Sequence, residues 1–239
     1  TIGRRQIKYR RDVSKMGNII KKLKADDIGD MGIGAMIVFI AMVLVAGIAA
    51  SVLIQTANRL EIQAMQTGQE TIGEVSTGLA VTEITGYRGA TDTNLTLLAI
   101  TIQPRSGSFS IDLNQTYLEI SDSDKKVILR YDYANPVFVT QDAIGGDLFN
   151  STHYPADGTT FGIVVLEDPR GSLSATYPVI KKGGKVMLTI NVEQIFGVDG
   201  LATRKDIWGM IQPEEGASGV FAFTSPASYP ISKNVFILY

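Results

Sequence analysis

The fold of this chain is decided by residues 32–54, which read GIGAMIVFIAMVLVAGIAASVLI. No charged side chain occurs from Met31 to Asn58. At a helical rise of about 1.5 Å per residue, such a segment is long enough to cross the roughly 30 Å hydrocarbon core of a bilayer. The stretch therefore predicts an α-helix that is long and apolar enough to span a membrane.

Small side chains are frequent in this apolar run. They interrupt the larger apolar residues at Gly34, Ala35, Ala41, Ala46, Gly47, Ala49, Ala50 and Ser51. Small residues let helix backbones approach closely, which is how helices associate in an apolar medium. The pattern favours a helix that packs against other helices, and a simple single-pass anchor is the plainer alternative.

Charge is distributed unevenly along the chain. Residues 1–29 carry a net charge of +6, and because the whole chain carries −2, residues 30–239 carry −8. A basic segment before an apolar helix and an acidic body after it predict a cytoplasmic N-terminus and an exported body. The basic segment is short and has Tyr9 as its only aromatic residue, so no nucleic-acid partner is expected.

Cysteine is absent from the sequence. Disulfides and cysteine-based metal or nucleophile chemistry are therefore excluded. The exported part must be stabilised by hydrophobic burial, and its length of about 150 residues is sufficient for that.

Residues 1–29 are interpreted as a leader peptide that is removed. Met16 opens a short basic segment and is a plausible true start, which would make residues 1–15 an upstream extension. The basic part lies before the apolar run, and no Ala-x-Ala site follows, unlike in a secretory signal peptide. A cut between Gly29 and Asp30 would remove the leader and keep the helix.

The helical pattern continues past the apolar run. Ile62, Met65, Ile72 and Leu79 recur at helical offsets while charged and amide residues occupy mostly other faces. We predict one helix from about Gly32 to about Glu83, ended by the glycines of residues 86–89, and a helical domain over residues 30–88.

Residues 89–239 have the periodicity of strands. Short segments rich in Val, Ile, Thr and aromatics alternate with turn clusters, at 95–102, 108–111, 116–120, 126–131, 161–166, 185–192, 220–223 and 234–239. Seven or eight such strands predict an antiparallel immunoglobulin-like β-sandwich. The fold class is thus α+β, a long N-terminal hydrophobic α-helix followed by this sandwich.

Candidates for catalysis are few. His153 is the one histidine and lies in a loop-like segment without a nucleophile nearby in sequence, so a solvated loop histidine is expected. Asp122 and Asp124 are carboxylates of the kind that bind Ca²⁺, although a solvated turn is favoured. No P-loop, dinucleotide fingerprint or His-Glu-x-x-His motif occurs. We predict no catalytic residue, no metal ligand, no cofactor and no enzyme.

Three Asn-x-Ser/Thr sequons begin at Asn94, Asn114 and Asn150. Each is short enough to occur by chance. All three fall in the exported part near predicted strand ends, so N-linked glycans are expected there.

Residues 29–50, GDMGIGAMIVFIAMVLVAGIAA, followed by VLIQTA at 52–57, resemble the archaeal flagellins, or archaellins, of the type IV pilin-like superfamily. In that family a prepilin-like leader ending in Gly precedes a Gly-Ile-Gly motif and an apolar core of this kind. The resemblance implies cleavage by a preflagellin peptidase, export, and assembly into the rotating filament of the archaeal flagellum, or archaellum. The helices would bundle at the filament centre, in a homopolymer or one mixed with related archaellins.

A set of residues is accordingly expected to form the filament core. The large apolar members are Ile37, Phe39, Ile40, Val43, Leu44 and Ile48, and the members that allow close approach are Gly34, Ala41, Gly47 and Ala50. Before assembly the helix would sit in the membrane, and the assembled β-domain would form an extracellular outer wall that carries the glycans.

Two alternatives remain open at this point. A type IV pilin-like adhesion filament shares the leader, helix and β-domain. A monomeric membrane-anchored surface binding protein would keep its N-terminus and would not polymerise.

Overall fold

The long helix α1 runs from Ile2 to Ser76. The computed structural model describes residues 2–89, 92–197 and 200–239, and before Met31 it describes the side chains of Met16, Gly17 and Lys21 alone. The chain divides into two compact units, Thr1–Gln66 and Thr67–Tyr239. The first unit contains most of α1, and the second contains the last turns of α1 and the strands.

The second unit is built from short strands. In chain order they are β1 Leu79–Tyr87, β2 Leu97–Pro104, β3 Ile111–Asp112, β4 Tyr117–Ser121, β5 Lys126–Tyr131, β6 Phe138–Val139, β7 Thr160–Glu167, β8 Val179–Ile180, β9 Lys185–Asn191, β10 Asp206–Gln212, β11 Gly219–Thr224 and β12 Val235–Ile237. A short helix α2, Val192–Phe196, follows β9. Single 3₁₀ turns lie at Leu113–Gln115, Gln141–Ala143 and Ser151–His153.

The strands form a sheet in the order β11-β10-β4-β5-β7-β9-β2-β1-β12, with β6 beside β7, and a separate pair β3-β8. Pairing is antiparallel except at β5–β7 and β6–β7. The β5–β7 contact has only two residue pairs, Arg130 with Thr160 and Tyr131 with Phe161. This short junction divides the sheet into two halves.

The two halves face each other across one hydrophobic core. Leu118, Ile207 and Phe221 enter it from the β4–β5–β10–β11 half, and Ile100, Ile163 and Leu188 enter it from the other half. Inward and outward residues alternate, as in sheets that pack face to face. The predicted order of a long apolar helix followed by mostly antiparallel β-structure is confirmed.

The helix ends earlier than the sequence predicted. The prediction of helix through about Glu83 is wrong, because α1 stops at Ser76 and residues 79–87 form β1. Leu79 satisfied the helical spacing, but the segment is rich in Val, Ile and Thr, which favour strands, and it pairs with β2 along its length. The sheet therefore begins inside the domain that was predicted to be helical.

Strand β10 was missed by the sequence prediction, as were β1, β6 and β8. Gly209 weakens the strand signal in β10. The structure gives the reason for this glycine, since a Cβ there would lie 2.3 Å from Cζ of Phe221 and 2.5 Å from the carbonyl oxygen of Glu119. The absence of a side chain at Gly209 is what lets Phe221 fill the core.

Candidate functional site

The apolar part of α1 is exposed within the chain. All side chains from residue 31 to residue 70 are exposed, and Phe39, Leu44 and Ile48 are each more than 60% exposed. Burial of one such side chain contributes about 1.5–3 kcal/mol. By length and composition, the helical segment from Met31 onward is the one stretch of the described chain able to cross a membrane. Such a helix must be covered by lipid or by other chains.

The predicted filament-core residues spread over a broad arc of α1. At 100° per residue, they cover about 220° of the helix circumference, in the order Phe39, Ala50, Val43, Gly47, Ile40, Leu44, Ile37, Ile48, Ala41 and Gly34. The remaining arc is also apolar, through residues such as Val38, Met42 and Val45. A helix that is apolar all round is able to contact neighbours on every side.

Glycines in α1 differ in their surroundings. An ideal Cβ on Gly34 or Gly47 would meet no atom within 4 Å, apart from the backbone of the helix itself. A Cβ on Gly73 would instead lie 2.6 Å from Cε2 of Phe109. Packing within the chain therefore accounts for Gly73 and does not account for Gly34 or Gly47.

The predicted processing site, Gly29 and Asp30, has a helical backbone within α1. The side-chain surroundings of both residues lie outside the described part of the structure. Cleavage between them stays a prediction.

The sequon at Asn150 is held in a defined turn. The Asn150 side chain is exposed and caps the 3₁₀ turn Ser151–His153. Its Oδ1 accepts hydrogen bonds from the Thr152 amide at 3.1 Å and from the Thr152 hydroxyl at 3.0 Å. The Asn and Thr of this sequon are thus both at the surface and in contact with each other.

The other two sequons are less accessible. Asn114 is exposed, but Thr116 of the same sequon is fully buried, and its hydroxyl donates to the carbonyl of Asp112 at 2.9 Å. Asn94 is half-buried and precedes Leu95, which is fully buried. The three sequons therefore differ in exposure, although occupancy at each stays a prediction.

His153 is buried, so the expectation of a solvated loop histidine is wrong. Its side chain is 6% exposed, and Nδ1 lies 3.3 Å from the carbonyl oxygen of Leu148. The His153 carbonyl accepts a hydrogen bond from the Thr189 hydroxyl at 2.6 Å. These contacts hold the loop against the outer face of the sheet.

Asp122 and Asp124 lie in the turn between β4 and β5. Oδ1 of Asp122 accepts from the amides of Asp124 and Lys125 at 3.1 and 2.8 Å. A hydrogen bond from Lys205 and the charge of that ammonium lower the pKa of Asp124 below its ordinary value. Within the described ranges, no cluster of three or more possible metal-ligating side chains occurs. The Asp122 carboxylate therefore binds backbone amides of its own turn, and the Asp124 carboxylate binds Lys205.

Sequence analysis missed how the end of α1 is attached to the sheet. Ser108 Oγ donates to the carbonyl of Gly78 at 3.1 Å and accepts from the Gly78 amide at 3.1 Å. The amide of Phe109 donates to Oγ1 of Thr77 at 3.2 Å. The only residue in the sequence that could have indicated this attachment is Gly78. A Cβ at that position would lie 2.8 Å from the Ala217 carbonyl oxygen.

Taken together, these features define a class of protein. A long apolar helix that its own chain leaves exposed, continuous with a mostly antiparallel β-domain, is typical of subunits that bury the helix in a membrane or in a polymer.

The comparisons with known proteins identify the family. The sequence profile of archaeal-type flagellin matches residues 29–223. Flagellin B2 of Methanocaldococcus jannaschii is 43% identical over 209 residues, which cover 87% of this chain and 93% of that protein. The chain belongs to the archaeal-type flagellin family, and it is a structural subunit of the archaeal flagellum filament.

Solved structures agree with this assignment. The crystal structure of an archaeal flagellin from Methanocaldococcus jannaschii has a TM-score of 0.59 and 31% identity, and the match covers 68% of this chain and 96% of that one. A structure of the archaeal flagellum of Methanospirillum hungatei shares the fold, with a TM-score of 0.54 and 16% identity over 83% of this chain and 95% of that one. The predicted family is confirmed.

Proposed function

We propose that the chain is made as a precursor, is cut after Gly29 by a preflagellin peptidase, and polymerises through the apolar part of α1. The observation that carries the proposal is the exposure of every side chain from residue 31 to residue 70. The family match begins at residue 29, which supports a mature chain starting near that position. Swimming motility is the expected use of the polymer.

Before assembly, residues 32–54 lie in the membrane, with residues 1–29 on the cytoplasmic side. The net charge of +6 before the helix and −8 after it supports this orientation. Transfer from lipid to filament gains little from the hydrophobic effect, since both surroundings are apolar. Close packing at Gly34, Ala41, Gly47 and Ala50 supplies the preference for the filament.

In the filament, the apolar surface of α1 contacts neighbouring helices in the central bundle. A repeated contact between different surfaces does not close on itself and generates a helical fibre. The β-domain forms the extracellular wall and carries N-linked glycans. In this proposal the chain has a structural role and catalyses no reaction.

The first experiment is N-terminal peptide sequencing and mass spectrometry on filaments sheared from the source cells. A mature chain that begins at Asp30 would support the proposal. An intact N-terminus at Met16, found only in the membrane fraction, would contradict it and favour the monomeric anchored protein.

A second experiment tests the helix. Gly47→Asp places a carboxylate in the apolar run at a cost of about 3 kcal/mol, and filaments should be absent by electron microscopy while the β-domain stays folded. Gly68→Asp is the matched control, because Gly68 is also helical with open space around it but lies outside the apolar run. Normal filaments in the Gly47→Asp variant would refute a role for this segment in the core.

A further inference from the structure

Residues 140–155 form a loop on the sheet, and three stacked aromatic rings help to hold it there. The ring centre of Phe149 lies 4.9 Å from that of Tyr87 and 6.1 Å from that of Tyr154, with interplanar angles of 14° and 15°. We call these three rings the Phe149 column. Tyr87 belongs to β1, whereas Phe149 and Tyr154 belong to the loop. The column therefore joins the loop to the sheet.

The loop covers an apolar part of the outward face of the sheet. Ala99, Val164 and Met187 are buried there, and the partly buried Leu148 and Phe149 pack against them. Outward positions of a sheet with one solvated side are normally polar. The loop must stay closed to keep these apolar side chains out of water.

One buried group weakens the closed loop. Tyr154 is 5% exposed, and its hydroxyl has no hydrogen-bond partner among the residues that the structure describes. A buried polar atom without a partner costs free energy that a paired one does not. A further contact on the outer surface of the loop would therefore have a measurable effect on how often the loop opens.

The sequon at Asn150 is directly next to the column. Asn150 follows Phe149 in the chain, and consecutive Cα atoms are about 3.8 Å apart. Because Oδ1 of Asn150 accepts both hydrogen bonds from Thr152, Nδ2, the atom to which an N-linked glycan is attached, is not needed for the turn. The Asn150 side chain is exposed, while Phe149 and Tyr87 are half-buried. The column thus keeps an open surface close to the attachment point.

The chemistry of a sugar fits such a surface. A sugar ring has faces made of C–H groups, and its hydroxyls can stay hydrated when one of these faces is covered. The face of an aromatic ring is electron-rich and apolar, so contact with C–H groups removes it from water at little polar cost. The other two sequons differ, because Asn94 follows Thr93 and Asn114 follows Leu113.

We propose that the glycan on Asn150 packs its first sugars on the open surface of the Phe149 column and so keeps the loop closed over the sheet. The proposal rests on N-linked glycosylation of the β-domain, which is part of the proposed function. It assigns a contact surface and a stabilising role to one of the three sequons.

Hydrogen exchange by mass spectrometry tests this role in mature full-length subunits that are purified from the source cells and dissociated in detergent. The reporter is the peptide 138–146, in which the Ala143 amide donates to the Thr140 carbonyl at 2.9 Å. Asn150→Asp removes the glycan and keeps the turn, because Asp caps helices as well as Asn does. We expect exchange in the reporter to become about fivefold faster, the scale of a ring contact. Asn114→Asp is the matched control and should leave the reporter unchanged.

Two background variants locate the contact. Phe149→Leu removes the central ring, and in this background Asn150→Asp should change exchange by less than about twofold, as expected for groups in direct contact. Leu148→Ala loosens the loop but keeps all three rings, so Asn150→Asp should still speed exchange about fivefold. Equal effects of Asn150→Asp in the two backgrounds would overturn the contact with the column.

The mass of the peptide that contains Asn150 separates this proposal from the one on which it rests. A wild-type peptide without glycan mass would contradict glycosylation at Asn150 and would overturn both. Glycan mass together with equal exchange in wild type and Asn150→Asp would overturn only the contact proposed here. If both exchange slowly in intact filaments and fast in dissociated subunits, another subunit covers the column and the proposal is wrong.

Discussion

Thr77 and Ala217 join the end of α1 to the sheet through their backbones. The amide of Ala217 donates to the carbonyl of Thr77 at 2.7 Å, and the carbonyl of Ala217 accepts from the amide of Leu79 at 3.2 Å. Thr77 is 4% exposed, and its own amide still bonds back to Gly73 at 2.8 Å. The last turn of the helix and the first residue of β1 are therefore fixed to the same loop.

Gly216 permits this attachment, and its substitution gives the first prediction. It has φ +92°, and a Cβ there would lie 2.2 Å from the Thr77 carbonyl oxygen. Gly216→Ala should lower the free energy of unfolding by about 3 kcal/mol, since backbone strain and a clash with backbone both contribute. The measurement is denaturant unfolding of the mature chain in detergent, followed by Trp208 fluorescence.

The control for Gly216 is Gly146. It also has positive φ, +84°, but a Cβ there would meet no atom within 4 Å. Gly146→Ala should cost about 1 kcal/mol from backbone strain alone. Equal losses in the two variants would show that the close approach to Thr77 is unimportant.

Arg88 carries the second prediction. Its side chain is 4% exposed, and its guanidinium donates to the carbonyls of Asp92 at 3.1 Å and Ile231 at 3.3 Å. Arg88→Met should keep the apolar stem and lose these bonds, at a cost of about 1–3 kcal/mol. Hydrogen exchange by mass spectrometry should then show faster exchange around Ile231, while the exposed-site control Arg170→Met should leave it unchanged.

Much of the architecture could be predicted from sequence because local patterns decide it. The apolar run from residue 32 to residue 54 required a helix, and Lys126–Tyr131 was predicted as a strand with the bounds that β5 has. In β5 the outward residues alternate with the buried Leu129 and Tyr131. Period-2 alternation over six residues leaves little ambiguity.

Features that depend on distant residues were not visible in the sequence. Whether Leu79 continues a helix or starts a strand depends on pairing with β2, and the burial of His153 depends on Thr189 of β9. A loop composition gives no sign that the loop folds back onto a sheet. Strand β10 was missed for a similar reason, because it contains a glycine whose role is set by Phe221 on the neighbouring strand.

Asp168 gives a prediction on pH. Burial alone would raise the pKa of Asp168, but hydrogen bonds from the amides of Leu173 and Ser172 outweigh this effect and hold the pKa below its ordinary value. A carboxylate with a lowered pKa stabilises the fold above its unfolded pKa of about 3.9. This contribution is lost as the pH falls through the lower folded pKa.

The measurement is the thermal midpoint of wild type and Asp168→Asn as a function of pH. Asp168→Asn should lower the thermal midpoint near neutral pH. It should also reduce the difference between the midpoint at neutral pH and the midpoint at about pH 2. The exposed Asp142 provides the control, and Asp142→Asn should leave the pH profile close to that of wild type. A parallel downward shift of the Asp168→Asn curve at all pH values would contradict this electrostatic origin.

The last prediction concerns the glycans. Asn150 and Thr152 are both exposed and hydrogen-bonded to each other, whereas Thr116 is buried and Asn94 is half-buried. If attachment requires access to the folded domain, mass spectrometry of filament peptides should find the highest occupancy at Asn150 and the lowest at Asn94.

A pair of variants tests the Asn150 sequon. Thr152→Ala should remove the glycan mass at Asn150, and Ser151→Ala should retain it, because the middle position of the sequon is not required. Equal occupancy at all three sites would instead indicate attachment before the β-domain folds.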